Sequence, residues 1–206
     1  MNEIKGLSVK IHFHKVVYKI HFERENTFVV VQKTKTTDPQ GELITQVDKH
    51  NQVIGSISRG EAHEKQGIFY RTIYVLIKND KGQILCQKRS PTKDLYPDCW
   101  DLSVGGHVNF GQSYKATAVR ELKEELGLNV SEEDLIAMGE VLVKLPNSGE
   151  YFNVFEYNLK PQERISASEE EINDTRWMTI LDIKRSMQEK RLRWYSRPEQ
   201  VITALY

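Results

Sequence analysis

Between Gly105 and Leu128 the chain reads GGHVNFGQSYKATAVRELKEELGL, and this stretch limits the available folds more than any other. Over residues 113–126, Val119, Leu122 and Leu126 recur at the i, i+3, i+7 spacing of a helix with one buried face. At roughly 100° per residue, Glu121, Glu124 and Glu125 fall within about a third of the circumference on the other side. Carboxylates this crowded repel one another. A hard divalent cation with oxygen ligands relieves the repulsion, and Mg²⁺ or Mn²⁺ suits that role. Arg120 is placed to pair with Glu124 one turn on. Gly105 and Gly106 permit a tight turn before the helix and let a backbone carbonyl approach the cation. Three glutamates alone are more often a solvated acidic face laced by i, i+4 pairs. The residues by themselves therefore leave both readings open.

The rest of the chain sets the context. Its 206 residues, 39% hydrophobic, suffice for one core with a small appendage. A formal net charge of zero argues against a nucleic-acid coat or a membrane surface as the main partner, so an anionic ligand must meet a local charge cluster. The two cysteines, Cys86 and Cys99, make no CxxC or Cys/His zinc spacing, which points to a reducing compartment and no structural metal. No apolar run approaches about 18 residues and no signal peptide is visible, so a cytoplasmic location is expected.

Residues 1–42 differ in texture from the rest of the chain. KGLSVKIHFHKVVYKIHFERENTFVVVQKTKTT alternates apolar and polar residues and is rich in β-branched and aromatic side chains, which predicts strands in a hairpin broken at ERENT. His12, His14 and His21 within it read as solvent-side strand residues ahead of a metal set. TTDPQGE is a turn or linker. From residue 43 to 206 strands and helices alternate, the pattern of an α/β domain. ITQVDKHNQVIGSISR reads as two short strands and RGEAHEKQG as a short polar helix or loop. RTIYVLIKNDKGQILCQKRS reads as a hairpin around Asn79–Gly82. SPTKDLYPDCW is a loop, and WDLSVGGHV a strand running into a glycine turn. EVLVKLP and EYFNVFEYNLK are further strands, TRWMTILDIKRSMQEK a strand then a helix, and RPEQVITALY a closing helix.

The whole segment around the helix resembles the Nudix signature. That signature runs Gly, five residues, Glu, seven residues, Arg-Glu, an aliphatic residue, any residue, Glu-Glu, any residue, Gly, an aliphatic residue. Gly106, Arg120, Glu121, Leu122, Glu124, Glu125, Gly127 and Leu128 match it. The resemblance implies a Nudix fold, an α/β/α sandwich around a mixed sheet, here with a β-rich extension at the N-terminus. It implies hydrolysis of a diphosphate linkage, usually in a nucleoside diphosphate derivative. A Mg²⁺ or Mn²⁺ cofactor would screen the phosphate charge and activate water. Glu121, Glu124, Glu125 and the Gly106 carbonyl are the implied ligands, with Arg120, Glu121 and Glu124 in the catalytic group. The implied general base is a glutamate of this box or one from a later loop. One position departs: Gln112 stands where the signature has a glutamate that helps orient the helix and its arginine. Gln keeps an acceptor and loses the charge, so a weaker, more Mn²⁺-favouring enzyme is expected.

Over about residues 46–206 the chain is similar to hydrolases related to isopentenyl-diphosphate isomerase, carried by VDKHNQVIGSISRGEAHEKQG, QKRSPTKDLYPDCWDLSVGGHVNFGQSY and NDTRWMTILDI. The isomerase itself needs a cysteine just before Gly-His, where this chain has Gly105. It needs two metal-binding histidines seven apart, and here His63 is followed by Tyr70. It carries Arg-Arg where this chain has Arg120-Glu121. The same likeness makes Arg89, Lys93 and Arg59 candidates to grip a diphosphate, against a reading as ordinary surface charge. His107 is a candidate for phosphate or metal contact, or a structural histidine. Glu150 matches the later catalytic glutamate, against an exposed turn residue. Tyr96, Trp100, Tyr151 and Phe152 are available to stack on a base or line a pocket, with core packing the stronger reading for Trp100 and Trp177.

The expected protein is a metal-dependent pyrophosphohydrolase of a small-molecule diphosphate, with no stable nucleic-acid or membrane partner. Two rivals remain: an isomerase-like enzyme on an isoprenoid diphosphate, and a catalytically silent Nudix module that binds a nucleotide or a protein. Residues 1–42 are read as added strands, a dispensable extension, or an exposed edge that makes a homodimer.

Overall fold

The computed structural model describes residues 36–145 and 148–206 in full, together with the backbone of 8–13, 16–21 and 32–33. In chain order the extension holds β1 (Ser8–Phe13), β2 (Val16–His21) and β3 (Gln32–Lys33), which pair antiparallel in a three-stranded sheet of their own. The expected strands are there. The ERENT break and the side chains of His12, His14 and His21 lie outside the described residues.

The body continues with β4 (Leu43–Val47), β5 (Val53–Ser58), α1 (Arg59–Glu64), β6 (Phe69–Lys78), β7 (Ile84–Arg89), β8 (Trp100–Leu102) and β9 (Val104–His107). It closes with α2 (Tyr114–Leu126), β10 (Ile136–Leu145), β11 (Ser148–Asn158), β12 (Ile172–Met178), α3 (Ile180–Gln188) and α4 (Ser196–Leu205). Strand β6 organises the sheet because both its faces are apolar. Ile73, Val75 and Ile77 point one way, Tyr74 and Leu76 the other, and all five are buried. The first set meets Ala118, Leu122 and Leu126 of α2. The second meets Ile183 of α3 and Val201 and Ile202 of α4. Helices thus cover both faces, the α/β/α sandwich expected.

The pairing is mixed. β6 runs parallel to β11 along its full length, and β10 lies antiparallel outside β11. The other edge of β6 is shared by β4 at Phe69 and Tyr70 and by β9 from Thr72 to Val75. That sharing corrects the hairpin expected around Asn79–Gly82. β6 and β7 meet only at Lys78 and Ile84, after which β7 departs to pair with β8 and β12. The turn forms as read, but β9 already holds the edge that a hairpin partner would need. Trp100 is buried in the core as expected, and Trp177 packs against the core on the other face of the sheet.

Helix α2 is placed by its two ends. Ser113 caps the start, its hydroxyl accepting from the Ala116 amide at 3.0 Å. Gly127 ends it at φ +67°, with its amide on Lys123 and the Leu128 amide on Leu122. Between these ends the apolar stripe fixes the helix's rotation, and therefore the direction in which its acids face.

Candidate active site

Glycines 105 and 106 of β9 lie beside the acidic side of α2. A Cβ at Gly106 would stand 2.0 Å from Glu121 Oε1, so the carboxylate occupies the space a side chain would fill. Arg120 ties the strand to the helix: it donates to the His107 carbonyl at 3.3 Å and pairs with Glu121 at 2.9 Å and Glu124 at 2.8 Å. The three acids do not share one open face as the helical wheel suggests. Glu124 points outward to Arg120, its side chain 58% exposed, whereas Glu125 is buried and accepts from Gln87 Nε2 at 3.0 Å. Glu121 and Glu125, one turn apart, turn inward together. Burial pushes the Glu121 carboxyl up to about 7, with Arg120 opposing and Glu124, Glu42 and Glu171 adding to the rise. Glu125 is held well above the usual carboxylate range by burial, then by Glu121 and Glu171.

These acids form one wall of a cleft of about 180 Å³. Arg59, Arg89, Lys93, His107 and Glu150 line it too, so the expected site residues are gathered in one place. Their partners, however, are internal. Arg89 donates to the Leu95 carbonyl at 3.1 and 3.2 Å and lies 3.5 Å from Asp101. Lys93 is clamped between Asp38 at 2.6 Å and Glu171 at 2.5 Å. Arg59 pairs with Asp38 at 2.7 Å and Asp94 at 3.3 Å. Asp38 belongs to the segment read as a linker. Its buried carboxylate joins these two cations, so a chain begun at Glu42 would leave both without that partner.

Glu150 is not the exposed turn residue of the alternative reading. It is the third residue of β11, 1% exposed, and takes both Nε and Nη2 of Arg197 as well as the Tyr70 hydroxyl at 2.5 Å. His107 is also enclosed. Its Nε2 lies 3.2 Å from His63 Nε2, and His63 Nδ1 lies 3.1 Å from Asp94. Burial first, then the charges of Arg59, His63 and Arg197, keep His107 well below the usual imidazole range, hence neutral. At Asp94 burial opposes ionisation, but the His63 hydrogen bond and the charge of Arg59 hold the carboxyl well below the carboxylate range.

Several lining residues lie outside the set expected from the sequence: Gln87, Glu171, Tyr74, Asp101, Tyr195 and Arg197. Tyr74 donates to Asp101 at 2.7 Å, and Tyr195 donates to the same carboxylate. Tyr96 stacks on Tyr195 with centroids 4.2 Å apart, and the Arg197 guanidinium lies over both rings. Of these, Arg197 alone left a faint signal. It sits one turn before Val201 on the buried stripe of the closing helix, where a cation needs a partner.

Residues 69–198 match the profile of the NUDIX domain, which is more than half of the chain and takes in β6 through the start of α4. The chain belongs to the Nudix family. A Nudix hydrolase of Pseudomonas aeruginosa is 41% identical over 87 residues, 42% of this chain and 51% of that protein. Isopentenyl-diphosphate Delta-isomerase 2 of Photorhabdus laumondii is 30% identical over 146 residues, covering 69% of this chain and 80% of the isomerase. The crystal structure of DR0079 from Deinococcus radiodurans superposes with a TM-score of 0.64 at 22% identity, over 80% of this chain and 99% of that one, which establishes the shared fold. The chain spans about half the length of the P. aeruginosa relative.

Nudix hydrolases use divalent cations, and the cleft fits one in charge and donor type. Its lining carries nine carboxylates against five Lys and Arg side chains. Glu121 and Glu125 are buried side by side with too few donors. Among the described residues no three acidic, His or Cys side chains already converge as a ligand set, so Glu124 would have to leave Arg120 to join. Arg120 Nε is buried without a hydrogen-bond partner, while Gln112 Oε1 accepts from Thr117 at 3.4 Å. Gln112→Glu is expected to raise cation affinity several-fold by restoring the negative charge that the Nudix signature carries at this position. Isothermal titration with Mn²⁺ tests this, and unchanged affinity would refute it.

Glu121 also predicts a pH dependence. Its folded value of about 7 exceeds its unfolded value of 4.5, so its contribution to stability is full below 4.5 and is lost as pH rises through 7. The metal-free protein should therefore lose stability across that window, and Glu125, raised in the same way, adds to the loss. A bound cation favours the deprotonated carboxylate and should flatten the slope. Urea unfolding at pH 5 and pH 8, with and without Mn²⁺, measures both effects. Equal metal-free stability at the two pH values would contradict the assignment.

Proposed function

We propose that the protein is a Mg²⁺- or Mn²⁺-dependent hydrolase of a diphosphate linkage in a small molecule, a nucleoside diphosphate derivative being the first class to test. The observation that carries this reading is the inward pair Glu121 and Glu125, with Glu121 seated against Gly106. Glu121, Glu125 and, once released from Arg120, Glu124 would hold the cation, with Gly106 alongside. A cation bound there supplies Lewis acidity to the phosphate oxygens and lowers the pKa of bound water. Arg120 holds strand and helix in register and steadies Glu121. Glu171, from the loop of residues 159–171 that leads into β12, faces the same acids and is the later-loop candidate for the base. Glu150 is the less suited one, since both its oxygens already serve Arg197. Arg59, Arg89 and Lys93 would reach a phosphate only by exchanging the partners they hold.

The Photorhabdus isomerase likeness, which spans more of this chain than the hydrolase match does, supports a second reading: rearrangement of an isoprenoid diphosphate. Position 105 weighs against it. A Cβ at Gly105 would meet the Tyr74 ring at 2.8 Å, and that ring is fixed by its stack on Phe152 at 4.6 Å and its bond to Asp101. One panel separates the readings. Purified protein with Mn²⁺ is offered dinucleotides, nucleoside diphosphate sugars, nucleoside triphosphates and isopentenyl diphosphate. Hydrolysis that falls at least about 100-fold in Glu121→Gln and Glu125→Gln supports the proposal. Double-bond migration without phosphate release would replace it with the isomerase. Nucleotide binding without turnover would replace it with the silent module.

A further inference from the structure

Gln87 lies on β7, across the cleft from α2, and only 3% of it is exposed. Its amide nitrogen donates to Glu125 Oε2 at 3.0 Å. Its amide oxygen is buried and has no hydrogen-bond partner. Against the ionised Glu125 that a cation needs, the opposite rotamer would set that oxygen acceptor on acceptor, so in that state the bond to Glu125 fixes which end is left over. An uncharged side chain spanning two layers of the sandwich is a poor choice for packing alone, because leucine would fill the space with no polar atom to satisfy. An acceptor left over in a polar cleft is suited to a donor that arrives with a ligand.

We propose that Gln87 is a positioning residue of the cation site, fixing Glu125 with its N–H and accepting, at Oε1, a hydrogen bond from water carried by the cation. This rests on the metal-dependent reading of the cleft and deepens it. The chemistry is consistent on each side. Mg²⁺ and Mn²⁺ sites built from few carboxylates keep several waters, and each such water is a strong donor. Glu125 is held from one side by Gln87, which leaves its other oxygen for the ion. Gly106 and Glu121 line the same cleft as Gln87, which reaches it from β7. A charged donor in its place would pair with Glu125 and compete with the cation, whereas the amide orients the carboxylate and leaves its charge available.

The test is Mn²⁺ binding to the full chain, followed by the loss of the free-ion electron paramagnetic resonance signal. Gln87→Leu is expected to weaken binding about 10- to 100-fold, the range for partners of metal ligands. In a Glu125→Gln background the same change should cost less than about threefold, because the two side chains act as a unit. Metal-free melting curves check that each variant folds. Should Gln87→Leu fail to fold, Gln87→Met keeps the unbranched shape and answers the same question. Wild-type binding that persists within twofold in Gln87→Leu, or effects of the two sites that simply multiply, would overturn the role of Gln87 and leave metal dependence standing. No Mn²⁺ binding by the wild type at millimolar ion would overturn metal dependence and this role with it.

Discussion

Gly106→Ala is expected to leave the protein folded and to lower hydrolysis by about two orders of magnitude. The added Cβ would fall 2.0 Å from Glu121 Oε1, 2.3 Å from its Cδ and 2.6 Å from its Cγ. All three atoms belong to the end of a flexible side chain, so the collision is relieved by moving the carboxylate and not the sheet. The backbone at Gly106 is compatible with alanine, which removes any further folding penalty. The displaced Glu121 is one of the two inward acids proposed to hold the cation, and an ångström there is worth more in rate than in stability. Gly105→Ala makes the contrast. Its Cβ would strike the Tyr74 ring at 2.8 Å, and this ring is pinned by Phe152 and Asp101. Overpacking of that kind should appear as about 1–3 kcal/mol of lost stability. Turnover and urea unfolding of the two variants, measured side by side, should therefore change in opposite proportion. A Gly106→Ala enzyme within a few-fold of wild type would remove Glu121 from the site.

That contrast also shows what the sequence made legible. Gly106, Glu121 and Glu125 belong to one strand–turn–helix unit, and a helical period relates residues so close along the chain without knowledge of the rest. The period erred only in its last step. It placed Glu124 with the other two, whereas Arg120 turns it to solvent and Gln87 draws Glu125 inside. Gln87 itself was hidden because β7 reaches α2 through the sheet, and nothing in ILCQKR says which strand it will pair with. The hairpin reading of β6 and β7 failed for the same reason: edge occupancy by β9 is a tertiary fact. Asp38 read as a turn residue since its partners, Arg59 and Lys93, lie beyond the linker in segments of their own. The opposite wall of the cleft, with Asp101, Tyr195 and Arg197, forms only when the closing helix docks. Of that wall the sequence carried one clue, the arginine on the apolar stripe of α4.

That arginine carries the largest stability effect expected here. Arg197→Met should destabilise the protein by about 3–5 kcal/mol, the loss typical when one member of a buried ion pair is removed. Arg197 is 8% exposed and Glu150 1%. Both oxygens of Glu150 receive the guanidinium, and only the Tyr70 hydroxyl at 2.5 Å would remain to it. Arg197→Lys should fall between, since an ammonium meets one oxygen where the guanidinium meets two. Adding Glu150→Gln to Arg197→Met should recover part of the loss, because the uncompensated charge is then gone; urea unfolding of the four proteins closes the cycle. The pair also decides between a structural and a catalytic Glu150. If its work is to hold Arg197 and the aromatic stack of Tyr96 and Tyr195, Glu150→Gln should lower stability and keep the pH profile of kcat. A profile that loses its rise with pH in Glu150→Gln would return Glu150 to the role of base. A single Arg197→Met variant within about 1 kcal/mol of wild type would show that the pair contributes little to the fold.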